Sequence, residues 1–217
     1  MRRESTTAEE ACVGLKFLYR PGVSEDSPLV VLVHGRAGNR TVMWTFERNI
    51  PPESHVVSFE AFLHDPIGGW SWWDMSAPGS KRESIVYAAH KLKTAIDAFI
   101  ALQGIKPRTL LGIGFSQGSV LVSATASLQL VPFDAMGILA GFVFLPDEDV
   151  QLPRFPAVFI AHGTQDDTIS VEKARKGAEA LRLRGAEVQY IEEQVGHKIG
   201  IQGSRALKEW IAAKLAP

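Results

Sequence analysis

The sequence predicts one α/β domain, a mostly parallel sheet with helices on both faces. Three observations predict it. Short, unbroken β-branched runs such as Leu29–Val33 (LVVLV) suit strands buried on both faces. These runs alternate with longer segments of helical apolar spacing, the pattern of strands joined by helical crossovers. With 217 residues the chain can bury roughly 70% of its unfolded surface and close one core without a disulfide or metal.

Residues 1–12 are expected to be a flexible N-terminal arm, and residues 13–19 a strand turned by Arg20-Pro21-Gly22. Leu29–Val33 and His55–Phe59 are the next strands. Residues 61–80 form a long loop rich in Gly, Pro and Trp. Ser80 with Glu83 fits a capping box, and behind it Ile85, Ala88, Leu92, Ile96 and Phe99 form a helical stripe stopped near Gly104. Residues 109–115 are a buried strand leading into a small-residue helix over 117–130. Strands follow at 135–141 and 157–161, a helix at 170–184 stopped by Gly185, and a strand at 187–191. The last helix, 204–215, places Leu207, Trp210, Ile211 and Leu215 on one face.

Composition narrows the function. The formal net charge is −1, without the basic excess that nucleic-acid or anionic-membrane binding calls for. No apolar stretch reaches the length of a membrane span, and Glu9 and Glu10 interrupt any signal-peptide core. The single cysteine, Cys12, excludes an internal disulfide and suits a cytoplasmic setting. The histidines show no metal-binding spacing, so neither metal nor cofactor is expected.

In an open parallel sheet, functional residues gather at the carboxyl ends of the strands. There the strand over 109–115 runs into Gly114-Phe115-Ser116-Gln117-Gly118, a G-x-S-x-G between strand and helix. Such a turn lifts the serine hydroxyl above the sheet edge. A serine nucleophile needs a base, and the base an orienting acid, in the chain order Ser, Asp or Glu, His. Two later strand ends supply them: His162-Gly163-Thr164-Gln165-Asp166-Asp167, and Val195-Gly196-His197. Asp166 and Asp167 compete for the acid. Asp147 and Asp149, in a short acidic run, are weaker candidates. Leu29–Val33 ends in His34-Gly35-Arg36-Ala37-Gly38-Asn39, a loop able to turn a backbone N–H toward the serine. The N–H of Gln117 is the natural second donor to an oxyanion.

LVHGRAGN, GFSQG, HGTQDD and GH, in this order and spacing, resemble the α/β-hydrolase superfamily, and within it the carboxylesterase/phospholipase group that includes acyl-protein thioesterases. The resemblance spans roughly residues 28–215. It implies a small, nearly lidless α/β-hydrolase core that cleaves esters or thioesters through a Ser-Asp-His triad without a cofactor. The group's H-G-x-x-D-x-x-V pattern then places Asp166 as the acid, with Ile169 at the final apolar position. By the same correspondence Ser116 is the nucleophile, His197 the base, and Arg36 and Gln117 the oxyanion amides. The implied partner is a small or lipid-like ester, with a homodimer in keeping with the group. Thioester or lysophospholipid cleavage on the same triad is the alternative, and a non-catalytic binding protein the rival from another class. The similar dienelactone hydrolases use cysteine, whereas the elbow residue here is Ser116. Two features depart from the pattern: Ser119 replaces a glycine or alanine, and the long loop carries Trp70, Trp72 and Trp73. Those tryptophans either wall an acyl pocket or pack the loop onto the body.

Overall fold

The computed structural model describes residues 2–76, 78–79, 81–145 and 156–216. From the N-terminus the chain forms β1 (Arg3–Glu4), α1 (Thr7–Val13), β2 (Phe17–Arg20), β3 (Leu29–Val33), a 3-10 helix (Val42–Asn49) and β4 (His55–Phe59). A small antiparallel hairpin follows, β5 (Leu63–His64) with β6 (Trp70–Ser71). Next come α2 (Lys81–Gln103), β7 (Leu110–Phe115), α3 (Gln117–Ser127) and β8 (Ala135–Leu139). The chain ends with β9 (Ala157–Gly163), α4 (Val171–Leu183), β10 (Val188–Glu193) and α5 (Ile201–Leu215).

Eight strands make one sheet in the order β1-β2-β4-β3-β7-β8-β9-β10. From β4 across to β10 every neighbour is parallel, and β2 and β1 run antiparallel at one edge. β3 shows why its sequence is apolar without interruption. Successive side chains alternate faces: Leu29, Val31 and Val33 enter the core beneath α2, α3 and α4, while Val30 and Leu32 enter the one beneath α5 and the 3-10 helix. The expected stripe of α2 is buried from Ile85 to Phe99, and α5 buries Leu207, Trp210, Ile211 and Leu215. This is the expected mostly parallel sheet covered on both faces. No helix among the described residues is long and apolar enough to cross a membrane.

Three segments differ from expectation. The stretch expected to be a flexible arm carries β1 and α1. Thr6 accepts the N–H of Glu9, and the Glu9 carboxylate accepts the N–H of Thr6, a complete capping box. The Arg3 guanidinium, 2.8 Å from Glu9, holds that carboxyl at about 2. Gly14 then closes α1 at φ 79°, so the strand expected from residue 13 begins only at Phe17. The β5–β6 hairpin lies where plain loop was expected. Ser80 of the expected capping box and the acidic run with Asp147 and Asp149 fall outside the described residues.

Candidate active site

Ser116 sits between β7 and α3 with φ 52° and ψ −117°, a conformation costly for any residue with a Cβ. The turn is this sharp because strand and helix nearly touch. A Cβ on Gly114 would lie 2.2 Å from the Gly118 carbonyl oxygen, and one on Gly118 would lie 2.1 Å from that of Val33. Ser119, the residue that departs from the small glycine or alanine, fits without strain. Its hydroxyl lies 2.8 Å from both the Gly114 and Leu139 carbonyls, and the Leu139 N–H reaches it at 3.0 Å, so it ties β7 to β8 under the elbow.

The loops after β9 and β10 meet at this point. His197 Nε2 lies 2.9 Å from Ser116 Oγ, and its Nδ1 lies 2.7 Å from Asp166 Oδ2. Because a carboxylate only accepts, Nδ1 carries the proton and Nε2 is left to accept from the serine hydroxyl. Asp166 is buried, and Oδ1 accepts the N–H groups of Thr168 and Ile169, both at 2.9 Å. Burial pushes the carboxyl up. The Ile169 N–H, His197 and the Thr168 N–H together outweigh it, and the group stays below the ordinary carboxylate range. Asp167 is exposed and, among the described residues, its side chain bonds only Thr168 Oγ1, so of the two competing acids Asp166 is the one facing His197. His162 lies beneath the pair, with Nε2 2.8 Å from the Ile169 carbonyl and 3.3 Å from Asp166 Oδ2.

The oxyanion candidates are the backbone amides of Arg36 and Gln117. Gln117 opens α3, where the first N–H groups have no helical acceptor. The Arg36 N–H likewise meets no backbone acceptor among the described residues. The Arg36 side chain does something the sequence did not disclose. Its Nε donates to Asp65 Oδ2 at 2.9 Å, and the buried Asp65 also accepts from Ser71 Oγ at 2.7 Å and the Ile67 N–H at 3.1 Å. Arg36, Ser71 and then the Ile67 amide hold the Asp65 carboxyl at about 2. Ser71 Oγ in turn accepts the Ala37 N–H at 3.0 Å, and the Trp70 N–H donates to the Gly38 carbonyl at 2.7 Å. The loop from His34 to Asn39 is therefore strapped to the β5–β6 hairpin on both sides of Ala37, itself held at φ 57°. His34 anchors the start of the loop. It is fully buried, bonds the Gly35 carbonyl through Nδ1 at 2.6 Å and accepts the Ala61 N–H through Nε2 at 3.0 Å. Burial holds it near 4, so it is neutral.

Two of the three tryptophans, Trp72 and Trp73, are packed inside and leave no surface for an acyl wall. Trp72 is 0% exposed and its Nε1 donates to the His34 carbonyl at 2.8 Å, so it offers no surface to a ligand. The Gln117 side chain accepts the Trp72 N–H at 2.8 Å and donates to the Trp73 carbonyl at 3.0 Å. Trp73 is also buried, leaving only Trp70 partly open. Indole rings bury well when the N–H finds an acceptor, and for Trp72 the loop after β3 supplies one. A groove of about 350 Å³ lies beside Phe115 and Lys198, the chain neighbours of Ser116 and His197, though neither Ser116 nor His197 lines it. Phe115, Val42, Met43, Phe46 and Ile199 line it, and none of the tryptophans does. The Phe115 ring lies 5.2 Å from that of His197. Among the described residues no group of three His, Cys, Asp or Glu could hold a metal ion.

Comparison with known proteins agrees with this architecture. The family model described as Phospholipase/Carboxylesterase matches residues 20–215. The protein MhqD of Bacillus subtilis is 22% identical over 199 residues, covering 90% of this chain and 97% of its own. The Bacillus cereus carboxylesterase structure superposes with a TM-score of 0.84 at 19% identity, covering 95% of this chain and 98% of that one. A carboxylesterase from Mesorhizobium loti gives 0.82 at 19%, covering 97% and 98%. At such identities the two structures speak for the fold.

Proposed function

The chain belongs to the phospholipase/carboxylesterase family, and from that premise we propose that it hydrolyses carboxylic esters through Ser116, His197 and Asp166. The observation that carries this reading is the unbroken chain of 2.7 and 2.9 Å contacts from Asp166 through His197 to Ser116. Ser116 Oγ attacks the ester carbonyl as its proton passes to His197 Nε2. The amides of Arg36 and Gln117 receive the oxyanion. His197 then protonates the departing alcohol, and water, deprotonated by His197, releases the acid from Ser116. Asp166 holds the imidazole in its reactive tautomer and balances the imidazolium. The expected substrate is a small ester. The free, exposed Cys12 supports a reducing, cytoplasmic setting.

Labelling with a fluorophosphonate and turnover of p-nitrophenyl esters test the reading. Wild type should label and turn over, and Ser116→Ala should do neither while keeping its circular dichroism spectrum. Near-wild-type turnover by Ser116→Ala would remove the proposal.

A further inference from the structure

The groove beside Phe115 does not end where its apolar lining ends. It shares Arg48, Lys198, Ile199 and Ser204 with a second, larger depression of about 1220 Å³, so the two form one channel along the 3-10 helix and the start of α5. The far part is cationic: Arg48, Lys198, Arg205 and Lys208 all line it, and all are exposed. None of the four side chains makes an ion pair or hydrogen bond to a described residue. Other surface cations do find partners: Arg175 holds Glu192, and Lys214 holds Glu187. Among the described residues one carboxylate, Glu193, lines the channel, and it faces the start of α5. It accepts the N–H groups of Gln202 and Gly203 at 3.0 and 2.7 Å, at the N-terminus of α5. Four unpaired cations and the single carboxylate of Glu193 therefore share one concave surface, a local positive excess in a protein whose net charge is −1.

From this, and resting on the ester-hydrolase reading above, we infer that the channel selects an ester whose acyl chain is short and ends in a carboxylate, a hemiester of a dicarboxylic acid. Both ends of the channel argue for it. The stretch beside Phe115, one residue before Ser116, is mostly apolar and takes methylenes. A long alkyl chain following it would run in among ammonium and guanidinium groups, whereas a terminal carboxylate there meets a net positive charge, four cations against Glu193, on a concave surface. In the reaction the acyl carbon bonds to Ser116 Oγ, the bond to the alcohol oxygen breaks, and that oxygen takes the proton from His197. Water then frees the diacid.

The test pairs p-nitrophenyl hydrogen adipate with p-nitrophenyl hexanoate, which differ by a terminal carboxylate in place of a methyl. At low ionic strength wild type should favour the anionic ester in kcat/KM by about tenfold. The ratio should fall as salt is raised. It should also fall toward one in the double variant Arg48→Gln/Lys198→Gln, while Lys106→Gln, just before β7 at the amino ends of the strands, keeps it. Binding of both esters to Ser116→Ala, followed by calorimetry, reads the channel without turnover. Equal affinities there, or a preference that survives Arg48→Gln/Lys198→Gln, overturn the inference even if neutral esters are hydrolysed. Absence of any turnover with intact charge-dependent binding would instead sink the hydrolase reading alone. Tighter binding of lysophosphatidate than of the adipate ester would replace the short diacid by a lipid phosphate, and so also overturn it.

Discussion

The two halves of the candidate site are held by different means. Ser116, Asp166 and His197 stand on turns that directly follow β7, β9 and β10, and the parallel sheet sets their spacing. The loop with Arg36 also follows a strand, yet its shape is set from outside, by Asp65, Ser71 and Trp70 of a hairpin that is not part of the sheet. The first half depends on backbone pairing, the second on a few polar side chains. Single substitutions should therefore act on them differently.

The largest effect is expected in the sheet-held half. Asp166→Asn should lower kcat by about 10⁴-fold, the scale seen when a triad base loses its orienting carboxylate. Asp167→Asn, with its side chain in solvent, should change kcat little. Steady-state kinetics on one ester decides both, and the reverse ranking would mean that Asp167 takes over the contact with His197. In the strapped half, Asp65→Asn keeps the shape of the side chain and weakens the grip on Arg36. Removing a whole oxyanion donor costs about 10²- to 10³-fold, so loosening one should cost no more than about 10²-fold in kcat, with KM nearly unchanged. A loss as deep as that of Asp166→Asn would erase the distinction between the halves.

Acidity sharpens the same contrast. The Asp65 carboxyl is depressed, so its contribution to stability is fully present above the ordinary value near 4 and lost as pH falls through about 2. The melting temperatures of wild type and Asp65→Asn should keep a constant gap from pH 8 to about 4 and converge below it. A gap that closes already near neutral pH would show that the strap does not rest on the ionised carboxylate. Smaller in its effect on turnover, Trp72→Ala should act as a core truncation, costing about 3–5 kcal/mol of stability by chemical denaturation. Trp70→Ala, at the one partly open indole, should leave the acyl-length profile unchanged. A shift toward longer chains would return that ring to the substrate wall.

What the sequence disclosed follows the same division. β3, β4 and the stripe of α2 were legible because burial on a sheet or helix face repeats with a fixed period. Ser116, the acid-bearing loop and His197 were legible because each sits at a strand end in a known order. Asp65 and Ser71 carry no periodic signal. Their partners Arg36 and Ala37 lie about thirty positions upstream, and only the folded chain brings them together. The same holds for the Gln117 side chain clasping the Trp72–Trp73 backbone across more than forty positions. α1 is another case. Thr6 and Glu9 have capping-box spacing, but the helix is seven residues long, too short for a persuasive apolar stripe.

The left-handed backbone at Ser116 also has a consequence for heat resistance. On the proposed mechanism this residue has to be serine, yet it occupies a conformation that glycine adopts freely, so the proposed catalysis and stability make opposing demands on one residue. Ser116→Ala and Ser116→Gly both discard the hydroxyl and its contact with His197, and they differ in the Cβ that the turn strains. Glycine has more freedom to lose on folding, which favours alanine by about 0.4–1 kcal/mol. Relief of about 1–3 kcal/mol of backbone strain works the other way and is the larger of the two. The glycine variant should thus melt a few degrees above the alanine one, at about 2–4 °C per kcal/mol for a chain of this size. The elbow is then a place where the protein accepts a lower melting temperature to keep its oxygen in position.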